Sequence, residues 1–304
     1  MSGKESVLIV GGTGFIGMHI TREAINLGFH VLVLSKNATP LLGRINDVEY
    51  ISVDITLEGE LFNKINGRTL HYVINLGGYI DHSNYTEGGD QIFNVHFNGV
   101  KNLVNCINKD HLKSFIQIGS SDEYGGNLSP QSECQRESPI SPYSFAKTAA
   151  THLLQMLYVT ENFPVIILRL FLVYGPGQDS SRFIPQVIQG CLNNDKFPVS
   201  PGEQLRDFCF ISDIVDAIFL SIGNDYAYGE VFNIATGEPN SVRNIVSTIQ
   251  EKIGSGAPQF GKFEYRVGEN MLLFAEISKA KRILGWKPRV GLNEGLDRVI
   301  SYYK

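Results

Sequence analysis

Tyr143 and Lys147 stand four residues apart in the stretch Ser141-Pro142-Tyr143-Ser144-Phe145-Ala146-Lys147. On a helix, residues i and i+4 share a face, so this spacing sets an ammonium beside a phenol. A neighbouring cation lowers the pKa of a phenol, which is about 10 when unperturbed. A phenol brought toward neutral pH passes a proton readily. That is the partner step for a hydride moving to or from a nicotinamide.

A second group of residues fits the same chemistry. Gly11, Gly14 and Gly17 have the spacing G-x-x-G-x-x-G within Gly11-Gly12-Thr13-Gly14-Phe15-Ile16-Gly17. Glycines allow a tight turn and a close backbone approach to a pyrophosphate, and Phe15 and Ile16 open a helix whose N-terminus favours that anion. An acid about 20 residues further on would hold the adenosine ribose and favour NAD. The chain has Ser35-Lys36-Asn37 there. No carboxylate repels a 2′-phosphate and Lys36 can neutralise one, so NADP is the expected cofactor and NAD the alternative. The alternative is that Lys36 is only a solvated loop charge. Asp54 either accepts from the adenine amino group or caps a helix. Ile55, Leu76 and Gly77, at or just beyond strand ends, are assigned to the cofactor with it.

These residues need elements to hold them. Ser6–Val10, His30–Leu34, Tyr50–Val53, Tyr72–Leu76, Ser114–Ile118 and Val165–Leu170 are short apolar runs, several ending in glycine or serine, and read as buried parallel strands. Phe15–Leu27, Ile92–Ile107 and Pro142–Val159 have helical spacing between them. The alternation predicts an α/β fold, a doubly wound parallel Rossmann sheet with its ligands beyond the carboxyl ends of the strands. The glycines and Ser120 fall at such ends. After Tyr174 the pattern becomes irregular. Residues 1–174 are read as the dinucleotide-binding domain. Residues 175–304 are read mainly as a smaller C-terminal substrate-binding region, some of whose segments return to the first.

Composition narrows the class. The 304 residues are 43% hydrophobic, ordinary for a globular protein, and carry a net charge of −5. That balance gives no basic field for nucleic acid. Cys106, Cys134, Cys191 and Cys209 are far apart, form no metal-type pair and suit a reducing compartment. No run reaches the roughly 18 apolar residues of a membrane span, and the start lacks a signal pattern. A cytoplasmic enzyme without metal or membrane partner is expected.

The motifs together resemble the extended short-chain dehydrogenase/reductase family of sugar-nucleotide epimerases, dehydratases and reductases. The family's Y-x-x-x-K matches Tyr143–Lys147, and its L-R-x-F-N-V-Y-G-P matches Leu168–Pro176 except at Leu172. N-V-x-G-T matches Asn94–Gly99 loosely. R-D-F and a downstream Asp match Arg206-Asp207-Phe208 and Asp213, and L-G-W-x-P matches Leu284-Gly285-Trp286-Lys287-Pro288. The resemblance implies that Tyr143 is the acid/base and that Lys147 lowers its pKa and holds the nicotinamide ribose. It places the third member, a Ser or Thr four residues before Tyr124-Gly125, at Ser120.

The family's 4,6-dehydratases carry an acidic pair directly after that Ser/Thr. Here Ser121 and Asp122 take those two places, so Asp122-Glu123 runs one residue late and dehydration is discounted. Ser121 contacts substrate or only ends a turn; Asp122 is assigned to the substrate with it. Arg206 resembles the arginine that pairs with a substrate diphosphate, and Arg182 and Arg266 are further candidates. Asn233 is read as a support for nearby backbone. The family normally has an Asn where Leu172 stands, which puts one sugar-side hydrogen bond in doubt. Gly175-Pro176-Gly177-Gln178 is similar to a turn of 4-keto-6-deoxysugar reductases. The expectation is therefore an NADPH-dependent reductase of a nucleoside-diphosphate 4-keto-6-deoxyhexose. A 4-epimerase holding NAD is the alternative, then a 4,6-dehydratase, and last a dinucleotide-sensing protein without catalysis. A homodimer through the Tyr143 helix follows from the resemblance alone.

Overall fold

β1 (Ser6–Val10) is wholly buried and lies at the centre of the sheet because each of its residues is apolar or small enough to be covered on both faces. The computed structural model describes residues 4–38, 43–265 and 269–304. Arg266 lies outside them. β1 pairs in parallel with β2 (His30–Ser35) on one side and with β4 (Tyr72–Asn75) on the other. β3 (Val48–Ser52) adds to β2, and β5 (Ser114–Ser120) to β4. β6 (Val165–Leu170) and a strand at Val231–Ile234 complete seven strands, in the order Val231–Ile234, β6, β5, β4, β1, β2, β3. The order reverses between β1 and β4, and ligands of such sheets bind at the carboxyl ends flanking that reversal.

The chain divides into two compact units. The first comprises Met1–Gly126, Gln135–Arg169 and Ala217–Phe232; the second comprises Asn127–Cys134, Leu170–Asp216 and Asn233–Lys304. In the first, α1 (Phe15–Asn26) buries Gly17, Ile20, Thr21 and Ala24, one helical stripe, and Gly28 ends the run with φ +85°. α2 (Glu58–Ile65) seals Leu61 and Ile65 into the core. The expected single helix over Ile92–Ile107 is instead three pieces: α3 (Gly89–Phe93), a π-turn at Asn94–Asn98, and α4 (Gly99–Cys106). At the joint, a Cβ on Gly99 would lie 2.7 Å from Ile55 Cδ1, so a side chain there would have to displace Ile55.

α5 (Pro142–Glu161) starts cleanly because Ser141 accepts the Ser144 N–H while Pro142 occupies the first turn, where no N–H is missed. Tyr143, Ala146, Lys147, Ala150, Thr151, Leu154 and Leu157 form its buried face, the i, i+3, i+4 stripe that carries the phenol and the ammonium inward.

The second unit holds α6 (Phe183–Leu192), α7 (Val242–Ile253) and α8 (Leu292–Tyr303), with small sheets between them. Leu172–Tyr174 pairs with Phe208–Phe210 in parallel. Trp286 is buried and donates its Nε1–H to the Asp213 carbonyl at 2.8 Å, while the Val290 N–H donates to the Asp213 carboxylate at 3.0 Å. The tryptophan motif and the downstream aspartate thus brace one another. Asn233 donates its amide to the Gln131 carbonyl at 2.9 Å. Among the described residues, no helix is long and apolar enough to cross a membrane, and no group of His, Cys, Asp or Glu is placed to hold a metal.

Candidate cofactor and catalytic site

The glycine turn is built for backbone proximity. Gly11 has φ +78°, and a Cβ there would lie 3.1 Å from the Leu76 carbonyl, so the ends of β1 and β4 touch at that point. A Cβ on Gly17 would lie 2.3 Å from Gly11 O and 2.6 Å from Gly12 Cα, both backbone atoms that cannot swing aside. Gly14 is the N-cap of α1 and brings no side chain to its N–H groups, and the first turn carries no acid. The N–H groups of Phe15 and Ile16 are among the first four of a helix, which have no intrahelical partner. The sequence thus leaves a bare helix N-terminus with its positive dipole end at the switch point, a cradle that fits a pyrophosphate. Gly77 follows β4, its N–H donating to Asn75 Oδ1 at 3.0 Å, and buried Ile55 lies beneath it. Gly17→Ala is expected to cost about 1–3 kcal/mol of stability through backbone displacement. It should also strip dinucleotide from the purified protein, measured by chromatography after denaturation; unchanged content would contradict this cradle.

Lys36 does not stand free for a 2′-phosphate. Its Nζ is 2.9 Å from Asp54 Oδ2. Asp54 Oδ1 in turn accepts the Thr56 N–H at 2.9 Å and hydroxyl at 2.8 Å. Asp54 therefore closes a turn and does not cap α2, whose N-cap is Leu57. Burial pushes its carboxyl up, but the Thr56 N–H, Lys36 and the Thr56 hydroxyl together hold it below the usual range. NADP loses the support of Ser35-Lys36: the cation is answered by the Asp54 carboxylate, which an additional phosphate would face. The Ser35 hydroxyl is spent on the Asn37 carbonyl at 2.8 Å.

Tyr143 and Lys147 are both buried on α5, with Lys147 Nζ 5.9 Å from the centre of the Tyr143 ring. The ammonium donates to the Ile118 carbonyl of β5 at 2.9 Å, which ties the helix to the strand that carries Ser120 two residues on. Burial pulls the Lys147 pKa down to about 8, against Glu123 and Asp122, which favour the charge. Because this value lies below the ordinary lysine range, raising the pH through about 8 removes the cation beside Tyr143. A kcat/KM profile should therefore fall on its alkaline side with a midpoint near pH 8; a flat profile to pH 9.5 would show that the charge is not used.

Ser120 accepts the Asp122 N–H at 3.2 Å, and its own N–H donates to Glu123 Oε1 at 2.9 Å. An oxygen already accepting is left with its proton to give, as a hydrogen bond to a sugar oxygen requires. Two histidines that the motifs did not single out also face the phenol. His96 meets the Tyr143 ring edge to face at 4.9 Å and His82 at 5.7 Å. The signal for His96 was the loosely matching stretch Asn94–Gly99; nothing in the spacing marked His82.

The acidic pair separates. Asp122 is partly exposed, 3.8 Å from His82 Nε2. Glu123 is 0% exposed. Its oxygens take the Ser120 N–H, the Thr151 hydroxyl at 2.8 Å and Arg169 Nε at 3.0 Å, and Arg169 also pairs with Glu137. Arg169 lies over the Tyr124 ring at 4.6 Å, and a Cβ on Gly125 would lie 1.7 Å from the Ser138 carbonyl. Glu123 is thus a clamp under the Ser120 turn. Ser121 is buried in the same turn.

The remaining substrate candidates lie in the second unit. Arg206 is mostly buried, donates to the Leu205 carbonyl at 2.9 Å and is ion-paired with Glu269. Its neighbour Asp207 is held by the N–H groups of Thr236 and Gly237 at 2.7 and 2.8 Å and is structural. Arg182 is exposed at the N-cap of α6.

Fold, glycine cradle and buried phenol–ammonium helix define a dinucleotide-binding protein of the Rossmann type. The NAD dependent epimerase/dehydratase family model matches residues 7–235, and the chain belongs to that family. It is similar to the dTDP-D-glucose 4,6-dehydratase of Homo sapiens, 26% identical over 99% of this chain and 90% of that one. Among solved structures, the UDP-glucose 4-epimerase of Thermotoga maritima with UDP-glucose superposes with a TM-score of 0.91 at 26% identity, covering 98% of both chains. The UDP-glucuronic acid 4-epimerase of Bacillus cereus with UDP-glucuronic acid and NAD gives 0.86, also at 26% and 98% of both. The protein is an enzyme of a sugar-nucleotide family that uses NAD.

Proposed function

We propose that the chain is a nucleotide-sugar 4-epimerase that retains NAD. The reductase expected from the sequence loses the support of Lys36, which is paired with Asp54, and the relatives named above are epimerases and a dehydratase. The observation that carries the proposal is the Glu123 clamp: with that carboxylate bound to Arg169, Thr151 and the Ser120 N–H, the site keeps one proton-handling phenol and no paired acids for eliminating water. Asp122, near His82, is the acid that a dehydratase reading would have to employ unaided.

NAD, which the bare turn of Gly11, Gly14 and Gly17 at the start of α1 would hold, would supply reversible hydride chemistry at sugar C4. Tyr143 takes the proton of the C4 hydroxyl through its phenolic oxygen and returns it to the same oxygen after the keto sugar has turned over. Ser120 donates a hydrogen bond to that oxygen and holds it in reach. Lys147 keeps the phenolate form accessible by its charge. Proton and hydride both return, so the substrate changes configuration and not oxidation state. Arg206 is proposed to exchange Glu269 for the diphosphate, since a guanidinium fork suits phosphate oxygens. The second unit as a whole is the proposed substrate-binding part.

The test is a panel of UDP-glucose, UDP-glucuronic acid and dTDP-glucose incubated with the purified protein without added cofactor. Interconversion of C4 epimers with NAD recovered from the denatured protein is expected. Stoichiometric consumption of added NADPH by a 4-keto sugar would restore the reductase, and a 4-keto-6-deoxy product would establish the dehydratase.

A further inference from the structure

The π-turn Asn94–Asn98 carries His96 inward until it is 3% exposed. His96 Nε2 lies 2.7 Å from the carbonyl oxygen of Tyr79. A carbonyl only accepts, so Nε2 bears the proton and Nδ1 presents a lone pair. Burial pulls the imidazole pKa down to about 3, Lys147 pushes the same way and the Tyr79 carbonyl opposes, so the ring is neutral at any working pH. Nδ1 is buried and has no hydrogen-bond partner among the described residues. An empty buried acceptor is costly to leave unpaired in a folded protein.

The surroundings keep that atom beside the reaction path. The ring stands edge to face with Tyr143 at 89°. Gly78, with φ +133°, runs against it: a Cβ there would lie 2.2 Å from His96 Cε1 and 2.6 Å from Nδ1. The backbone just past Leu76 and Gly77 is thus kept bare at the imidazole edge that carries the lone pair. Among the described residues, Lys147, Tyr143 and Tyr79 are groups near the imidazole that bear charge or titrate.

We propose that His96 Nδ1 is a built acceptor for a hydroxyl in the Tyr143–Lys147 site, supplied by a ribose of the bound dinucleotide or by an ordered water, and that this bond sets Tyr143 for proton transfer. A hydroxyl fits because it donates to Nδ1 and keeps its lone pairs for the Lys147 ammonium or the Tyr143 proton. The role rests on the oxidoreductive use of Tyr143 given above. His96 is on this account a positioning residue for the phenol.

The experiment compares the full-length protein with His96→Phe and His96→Asn, each loaded with NAD. Phenylalanine keeps the ring contact with Tyr143 and removes both the lone pair and the Nε2–H bond to Tyr79; asparagine also lacks that donor but keeps a polar atom at the δ position, so the pair isolates the acceptor. The expected result is a tenfold or greater loss of kcat in His96→Phe with KM for the sugar within twofold and the unfolding midpoint no lower than in His96→Asn, and recovery of most of that loss in His96→Asn. A His96→Phe enzyme with kcat within twofold of the parent overturns the proposal. So does an equal loss in both variants that follows a lowered unfolding midpoint. Nitrogen-15 spectra of histidine-labelled parent protein separate the sources. A ribose hydroxyl displaces the Nδ1 resonance only when NAD is added, whereas water gives an accepting nitrogen before and after. A non-accepting Nδ1 in both states overturns the proposal even if the parent interconverts no sugar, an outcome that by itself counts against the epimerase alone.

Discussion

Tyr143→Phe is expected to lower kcat by about 10²–10⁴-fold, the range that positioned proton transfer contributes. The ring is buried against His96 and shares the inner face of α5 with Lys147, so phenylalanine preserves the packing and deletes only the oxygen. NAD content of the purified variant should stay near that of the parent, because the glycine cradle at the start of α1 is untouched. Steady-state turnover together with cofactor content decides the matter. A variant that keeps more than a tenth of parental kcat would remove Tyr143 from the acid/base role. Loss of NAD alongside turnover would instead make the phenol a structural support for the cofactor.

Glu123→Ala should be the most damaging of the acidic substitutions to stability. Breaking a buried ion pair on one side typically costs about 3–5 kcal/mol. Arg169 retains Glu137, which favours the lower end, near about 3 kcal/mol; the Ser120 N–H and the Thr151 hydroxyl also lose their acceptor. Urea unfolding at fixed NAD concentration measures it. The clamp predicts a clear fall in midpoint, with activity loss following from a displaced Ser120. If Glu123 were instead a base for elimination, the variant would lose turnover with its unfolding midpoint unchanged.

The two carboxylates show what spacing conveys and what it does not. Counting back from Tyr124-Gly125 identified Ser120 and exposed the one-residue offset of Asp122-Glu123, because motif spacing is local. That Glu123 is claimed by Arg169 is a contact across 46 residues, written nowhere in the neighbouring sequence. Lys36 makes the same point: read alone it was a partner for phosphate, and only the sheet brings Asp54 to it. The first six strands were legible because each is a short apolar run punctuated at its carboxyl end. The seventh, Val231–Ile234, was not, since it joins β6 from within the irregular part of the chain, where the Ile167 N–H reaches the Glu230 carbonyl at 3.0 Å. The π-turn at Asn94–Asn98 escaped because one inserted residue leaves an apolar helical period nearly intact, yet it is this insertion that turns His96 toward Tyr143.

The central claim is that a hydride leaves C4 and a proton leaves its hydroxyl oxygen, and that each comes back to the atom it left. The measurement is the position of the label after the protein, without added cofactor, has acted on a nucleoside-diphosphate hexose carrying deuterium at C4. The account predicts the C4 epimer with deuterium still at C4 and none in solvent or in free reduced nicotinamide. Deuterium delivered to C6 of a 4-keto-6-deoxy product, or recovered in a released NADH, would contradict it.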